Sequence, residues 1–382
     1  MDEFADLREG VRGLCAQFPP DYWRSCDQNK MYPEEFVAAM TASGYLAALI
    51  PEEFGGSGLG VLEASIILEE VNRSGGNAAQ CHAQMYTMGT VLRHGSKEQK
   101  SRWLPGIASG SIRLQAFGVT EPGAGSDTTH LTTTAVRDGN RYRINGQKIF
   151  ISRVQHSDYL LLLARTTPLS EVKRRSQGLS VFMVDLSEAL THGLRVAPIA
   201  TMMNHETNAL FFDDVPVPAD NLIGEQGEGF RYILDGMNAE RILIAGECLG
   251  DGYFFIDRAT AYARERIVFD RPIGQNQGIQ FPLARAYAHL KAADLTRLDA
   301  AKRFDHGEKA GEQANIAKLL ASEASWEAAN QAIQTYGGYG FAVDYDIERK
   351  FRETRLFQVA PISTNLILAY LGEHVLGLPR SY

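Results

Sequence analysis

Val119-Thr120-Glu121-Pro122-Gly123-Ala124-Gly125-Ser126-Asp127 is the stretch on which the reading of this chain turns. It follows Gln115-Ala116-Phe117-Gly118-Val119, a short apolar run that predicts a strand. Pro122 and the two glycines then force tight turns and let backbone N–H groups approach a bound molecule closely. Thr120 and Ser126 add hydroxyls that suit a heterocycle rich in donors and acceptors. A plain surface turn explains the same glycines when the segment is taken alone. The order of the surrounding elements has to decide between the two.

Upstream, residues 1 to about 113 read as mainly helical. Met31-Tyr32-Pro33-Glu34-Glu35-Phe36 puts proline and acids at a helix start, and Val37, Met40 and Leu46 continue an apolar face. Leu62 to Val71 and Lys97 to Ile107 predict further helices. Phe54-Gly55-Gly56-Ser57-Gly58-Leu59-Gly60 follows Pro51-Glu52-Glu53 rather than a buried strand, so it lacks the context of a dinucleotide-binding turn. Downstream, from about 114 to 226, the pattern is β. Leu131–Val136, Arg141–Ile144 and Lys148–Ile151 are separated by Asp138-Gly139 and Asn145-Gly146, which predict tight hairpins. Tyr159–Ala164, Leu179–Leu186 and Leu210-Phe211-Phe212 suit buried strands. After Gly224-Glu225-Gln226-Gly227-Glu228-Gly229 the chain predicts helices over 230–266, 279–304, 311–336 and about 365–377. Ile316, Leu320, Ala324 and Ala328 share one face, and Gly337-Gly338 sits where that helix should stop.

The expected fold class is therefore α+β and multidomain. It comprises an N-terminal helical domain (1–113), a middle β-barrel-like domain (114–226) and a C-terminal four-helix bundle (227–382). With 382 residues the chain is long enough for several subdomains, and its 45% hydrophobic and 22% charged content are ordinary for a globular protein. A net charge of −8 argues against a nucleic-acid partner. Cys15, Cys26, Cys81 and Cys248 lack the spacing of a disulfide framework or a structural zinc. His205-Glu206 offers one histidine beside one acid, too little for a metal, and no metal is expected. The absence of any apolar run of about 18 residues, together with acidic Asp2 and Glu3, predicts a cytoplasmic protein without a membrane partner.

Five motifs in this order resemble the acyl-CoA dehydrogenase family over essentially the whole chain. They are the Thr120–Asp127 loop, Gly146-Gln147-Lys148-Ile149-Phe150-Ile151-Ser152, Glu265-Arg266 through Phe269, Gln277-Gly278-Ile279-Gln280-Phe281, and Gln334-Thr335-Tyr336-Gly337-Gly338-Tyr339-Gly340-Phe341 leading to Glu348-Arg349-Lys350-Phe351-Arg352. The resemblance implies FAD, an acyl-CoA substrate, a homotetramer built as a dimer of dimers, and an electron-transfer flavoprotein as acceptor. It implies that Phe117, Val119 and Thr120 lie beside the isoalloxazine, that Ser126 contacts the flavin or the pantetheine, and that Phe150 and Ser152 cover the ring's other face and its polar edge. It further implies that Arg266, Phe269, Gln277, Gln334, Gly337 and Gly338 hold the adenine–pyrophosphate part across a subunit boundary. Ser363 matches a hydroxyl position near the flavin, and Asn365 a polar position near the adenine.

The family reaction removes a proton from the carbon next to the thioester and a hydride from the next one, which requires a carboxylate base. Most members supply it from a Tyr-Glu-Gly-Thr turn. Counting from Arg352, this chain reads Gln358-Val359-Ala360-Pro361-Ile362-Ser363-Thr364-Asn365, and Pro361 stands where the acid belongs. Proline brings neither a carboxylate nor a backbone N–H. Gly236-Met237-Asn238-Ala239-Glu240-Arg241 resembles the helix of the isovaleryl and long-chain members, whose base lies there. Glu240 is the expected base, with Arg241 beside it, Asn238 toward the CoA portion and Glu247 as the fallback. Ala360 hints at room for a branched or cyclic acyl group. Asp270 and Asp346 depart from the family's usual glycine and proline. A flavin oxidase or monooxygenase on the same scaffold, an enoyl-CoA reductase and a flavin-holding binding protein are the alternatives.

Overall fold

The computed structural model describes residues 3–380. In chain order the first helices are α1 (Ala5–Cys15), α2 (Pro20–Gln28), α3 (Glu34–Ala42), α4 (Val61–Arg73), α5 (Ala79–His94) and α6 (Lys97–Ser109). Strands β1 (Ala116–Gly118), β2 (Thr134–Asp138), β3 (Arg141–Ser152), β4 (Tyr159–Arg165) and β5 (Leu179–Asp185) follow. A short α7 (Leu186–Thr191) precedes β6 (Leu194–Pro198), β7 (Thr207–Pro218) and β8 (Leu222–Ile223). The C-terminal part holds α8 (Gly229–Glu265), the hairpin of β9 (Ile267–Val268) and β10 (Arg271–Pro272), α9 (Gln277–Asp305), α10 (Gly311–Tyr336), α11 (Ile347–Arg355) and α12 (Thr364–Tyr370). The chain is thus helical, then β, then a helical bundle. Its elements form two compact units: Met1–Met31, Gly60–Ala78 and Asn238–Tyr382 in one, Tyr32–Leu59 and Ala79–Met237 in the other.

The second unit is organised by an eight-stranded sheet in the order β6-β7-β3-β2-β4-β5-β8, with β1 parallel to β4 off that path. Strands β4 and β5 are apolar over most of their length, residues 160–164 and 181–184, because both of their faces are covered. Leu161, Leu163, Val181 and Met183 enter one core cluster with Trp103 and Ile107 of α6. Leu160, Leu162, Phe182 and Val184 enter another with Tyr142, Ile144 and Phe212. That alternation is the period of two expected of a strand.

One expected hairpin is absent. Asp138-Gly139 does turn the chain between β2 and β3, but Asn145-Gly146 lies inside the continuous β3. Strand β3 pairs with β2 on one side and β7 on the other, with irregularities between Ile144 and Gly146 and between Lys148 and Ile151. The Asn-Gly pair reads as a turn locally; two-sided pairing absorbs it as a bulge instead.

The first unit is helical, and close approach fixes its centre. A Cβ on Gly246 or Gly250 of α8 would meet a backbone oxygen of α4, Ser65 or Glu69, at 2.3 Å in each case. Buried charge adds register. Arg297 of α9 donates to Glu69 at 2.9 Å, Asp294 at 2.6 Å and Ser65 Oγ at 2.8 Å. Lys350 of α11 pairs with Asp251 at 2.6 Å and Glu353 at 2.9 Å, and donates to Gly76 O at 2.8 Å. Breaking such a pair from one side typically costs about 3–5 kcal/mol.

Candidate active site

The signature turn is anchored from beneath. Lys148 of β3 is fully buried and donates to Val119 O and to Glu121 Oε1, both at 2.9 Å. Glu121 also accepts from Thr132 N and Oγ1 at 2.7 Å and from Thr133 N at 2.9 Å. Burial alone would raise the Glu121 carboxyl, but the Lys148 charge and these donors outweigh it and hold it at about 2. The main chain of Thr120 is tied to β3 as well, its oxygen accepting from Ile149 N at 2.9 Å. Phe117 packs partly buried against the apolar core, its ring edge-on to Tyr86 at 5.3 Å. Ser126 at the tip of the turn is exposed.

Phe150 shows what the second β3 irregularity does. Its φ is 58°, it stands between Lys148 and Ile151 where the register shifts, and 61% of it is exposed. A left-handed φ on a bulky residue is strained and needs surrounding structure to hold it. The bulge turns a flat apolar ring outward two residues before the half-buried Ser152.

In the helical unit, α8 carries Asn238, Glu240 and Arg241. Glu240 is 4% exposed, and among the described residues its carboxylate accepts no hydrogen bond and joins no ion pair. Burial raises it to about 7, against the opposing pull of Arg241 and of Lys318 on α10. Arg241 Nη1 donates to Asn238 Oδ1 at 3.0 Å, while its buried Nε has no acceptor. Tyr370 of α12 faces the same guanidinium. Glu247, two turns further along α8, is also buried.

A groove of about 620 Å³ in this unit is lined by Tyr262, Arg266, Thr335, Gly337, Gly338 and Tyr339, among others. Arg266 is exposed there, its guanidinium 5.8 Å from the Tyr339 ring centre. Gly337 ends α10 at φ 60°, ψ −133°, a conformation open essentially to glycine alone, and both glycines face open space. Gln334 and Gln277 are exposed at the end of α10 and the start of α9. Phe269 is 93% exposed at the tip of the β9–β10 hairpin. Phe269 and Asp270 both have positive φ, as a two-residue turn of the primed type demands, and this accounts for a small polar residue at 270. Asp346, also at positive φ, is held by Arg24 at 2.6 Å and Arg349 at 3.3 Å.

Ser363 caps α12, accepting from Leu366 N at 3.3 Å, and Asn365 is exposed in that helix's first turn. Lys318 was not legible as a site residue. It is fully buried and donates to Phe357 O and to Ile362 O (2.7 Å), on either side of Pro361. The available signal was a lysine on the face that also holds Ala314, Ala321 and Ser325, all of them buried.

Three family descriptions match the chain: "Acyl-CoA dehydrogenase, N-terminal domain" over residues 1–111, "middle domain" over 116–215 and "C-terminal domain" over 227–369. The acyl-CoA dehydrogenase FadE12 of Mycobacterium tuberculosis is 36% identical over 100% of this chain and 98% of its own. The chain belongs to the acyl-CoA dehydrogenase family. Another relative, the 3-(aryl)acrylate reductase of Clostridium sporogenes, is 34% identical over 93% of this chain and 95% of its own. The solved butyryl-CoA dehydrogenase of Megasphaera elsdenii superposes with a TM-score of 0.91 at 28% identity, covering 98% of this chain and 100% of that one.

Acyl-CoA dehydrogenases are FAD-dependent oxidoreductases acting on acyl-CoA thioesters, and this chain is one of them. The residues present suit the cofactor. Phe150 offers an outward aromatic face with a hydroxyl two residues away, and the groove sets an arginine beside backbone that lacks side chains. Aromatic faces accept a flat π-system, and arginine with open backbone accepts phosphate. No helix among the described residues is long and apolar enough to cross a membrane.

Proposed function

We propose that this protein catalyses α,β-dehydrogenation of an acyl-CoA thioester with Glu240 as the base. The observation that carries the reading is the state of Glu240: buried on α8, without a hydrogen-bond donor, and raised to about 7. A carboxylate poised near the working pH takes a proton efficiently and releases it again. Glu240 accepts the proton from the carbon next to the thioester carbonyl. Arg241 and Lys318 favour its ionised form, and burial opposes them. Bound FAD supplies the acceptor for the hydride that leaves the neighbouring carbon. Phe117, Val119, Thr120, Phe150 and Ser152 would hold its ring system. Arg266, Phe269, Gln277, Gln334, Gly337 and Gly338 would hold its nucleotide end, with Asn365 nearby and Ser363 on the ring side. Ser126, Asn238 and Arg241 would line the CoA thioester.

The exposure of Phe269 and of the groove residues supports a neighbouring chain completing that site, in a homotetramer built as a dimer of dimers. An electron-transfer flavoprotein is the proposed acceptor. The cytoplasm is the proposed setting, in keeping with four free cysteines.

The reverse direction is the second reading, favoured by the reductase names of relatives at 34% and 33% identity. A group near 7 is about half protonated at neutral pH, so the same acid can return a proton in that direction. Anaerobic mixing of the yellow holoprotein with an acyl-CoA panel tests the main reading, because turnover bleaches the flavin. Glu240→Gln should retain FAD and lose bleaching by about a thousandfold or more, the proton acceptor being essential. A variant that keeps full activity assigns the base elsewhere.

A further inference from the structure

Seven polar side chains of the sheet-containing unit form a connected patch that the reaction above does not use; Arg153, His82, Tyr32 and Gln115 are buried, and His156, His205 and Glu206 are half-buried. Arg153, directly after β3, has φ 59° and is 4% exposed. Its backbone is clamped: the N–H donates to Glu206 O at 3.1 Å, and the carbonyl accepts from His156 N at 3.2 Å and Ser157 Oγ at 2.9 Å. Its guanidinium is held more loosely. Nη2 hydrogen-bonds the His205 ring, 3.2 Å from Nε2 and 3.4 Å from Nδ1, a partner that carries no negative charge. The buried Nε has no acceptor, and no carboxylate of a described residue pairs with the group.

The neighbours do not neutralise this cation. His82 is buried and His205 half-buried, and desolvation depresses both, His82 to about 3, so both are uncharged at neutral pH. Burial raises Glu206 to about 7, with Arg153 pulling it down and Glu34 pushing it up; neither of its oxygens accepts a hydrogen bond. His156 Nε2 lies 3.5 Å from Glu206 Oε1, and burial depresses that imidazole too. His156 stacks on Tyr32 at 4.2 Å, Tyr32 donates to Gln115 Oε1 at 2.8 Å, and Gln115 Nε2 is left without an acceptor. Buried polar atoms are almost always paired, so an open Nε on a permanent charge, with Gln115 Nε2 open in the same patch, points to a missing acceptor. A planar anion with two oxygens matches the open edge of a guanidinium better than any other common group.

The patch adjoins residues assigned above to the flavin. Arg153 follows Ser152 in sequence, and His82 lies 4.9 Å from Tyr86, whose ring meets Phe117 edge-on. We propose that Arg153 anchors a buried carboxylate-binding site, and that the carboxylate is carried on the acyl group of the substrate. The second clause rests on the acyl-CoA dehydrogenase reading; the first does not.

The test uses the holoenzyme with matched thioesters, glutaryl-CoA against pentanoyl-CoA and adipyl-CoA against hexanoyl-CoA, read as anaerobic flavin bleaching. The ω-carboxyl member of each pair should half-saturate at a concentration at least tenfold lower. Arg153→Met should abolish that advantage while leaving the methyl-ended thioesters within about twofold, and Arg153→Lys should keep part of it. Free glutarate, followed by thermal shift, separates the sources. Equal half-saturation by both members of each pair overturns the proposal, and so does an advantage that survives in Arg153→Met. Stabilisation by free glutarate without any thioester preference also overturns it, since the carboxylate then does not come from the acyl group. Should Arg153→Met fail to fold, wild-type selectivity and Arg153→Lys decide alone. Failure of every thioester to bleach the flavin would instead refute the catalytic reading.

Discussion

Replacing Lys318 by methionine separates the charge that faces the proposed base from the packing around it. Lys318 Nζ is tied to Phe357 O and Ile362 O and is depressed to about 8 by burial, so it remains largely charged at pH 7. Cys248, Arg241 and Glu240 are the groups that face it. Glu240, near 7, is about half ionised at pH 7. Loss of the cation disfavours the ionised carboxylate, so the Glu240 pKa rises. A rise of roughly one unit, about 1.4 kcal/mol, leaves only about a tenth ionised at pH 7. The base acts when deprotonated, so flavin reduction at pH 7 should fall about fivefold, with the acid limb of its pH profile displaced upward by that unit. Above about pH 9 wild type and variant should converge. Two buried carbonyls also lose their donor at about 1–3 kcal/mol each, which lowers the melting temperature without moving a pH limb. Lys318→Arg keeps the charge and should keep the limb. Stopped-flow flavin reduction between pH 5.5 and 9.5 gives the answer (the range brackets roughly two units either side of the base). An unmoved limb in a folded, flavin-replete Lys318→Met protein, or one moved downward, would refute the reasoning.

Two further outcomes follow from groups already described. Glu121→Gln leaves Lys148 buried without its counter-charge and should destabilise the protein by about 3–5 kcal/mol in chemical denaturation. The wild-type carboxyl is held at about 2, below its ordinary 4.5, so its contribution is complete above about pH 4.5 and fades as pH falls toward 2. The variant should lack that acid-sensitive component, and an unchanged acid profile would count against the pairing. Arg266→Ala removes the cation from the groove and should weaken FAD retention about tenfold or more, read as the flavin-to-protein ratio after gel filtration. Undiminished flavin content would exclude Arg266 as a phosphate ligand.

Local patterns made the element order readable, and non-local contacts made the site only partly so. The Thr120–Asp127 turn could be recognised because proline and glycines write their backbone demands into the sequence. What holds that turn, Lys148 beneath Glu121, could not, since the pairing joins residues 27 apart. Asn145-Gly146 misled for the complementary reason: its local preference for a turn is genuine, but pairing to β2 and β7 together overrides it. Asp270 and Asp346 looked like unexplained departures until their positive φ and the ion pairs of Asp346 were visible. Glu240 drew notice because an acid was missing elsewhere, at Pro361. Arg153 and Lys318 gave no such cue. Their importance lies in what surrounds them, a guanidinium without an anion and an ammonium spanning a turn.

Placing the proposed base on α8 rather than on a turn changes what tunes it. A carboxylate on a turn titrates in a field that shifts whenever the turn moves. Glu240 instead sits well inside a helix of 37 residues, far from either terminus and its partial charge. Its field comes from Arg241, the next residue on the same helix, and from Lys318 on α10. Lys318 is pinned to two carbonyls, and Arg241 to Asn238 at 3.0 Å. Both cations are therefore fixed in place while burial supplies the opposing push. The balance stands near 7 because a large desolvation penalty is offset by two charges of fixed position. It follows that substitutions in the turn at Val359 or Ala360, which leave the Lys318 contacts intact, should alter acyl selectivity without displacing the acid limb. With Glu240 as the proposed base, the turn takes no part in proton transfer, and its expected task is to shape the space beside the acyl group.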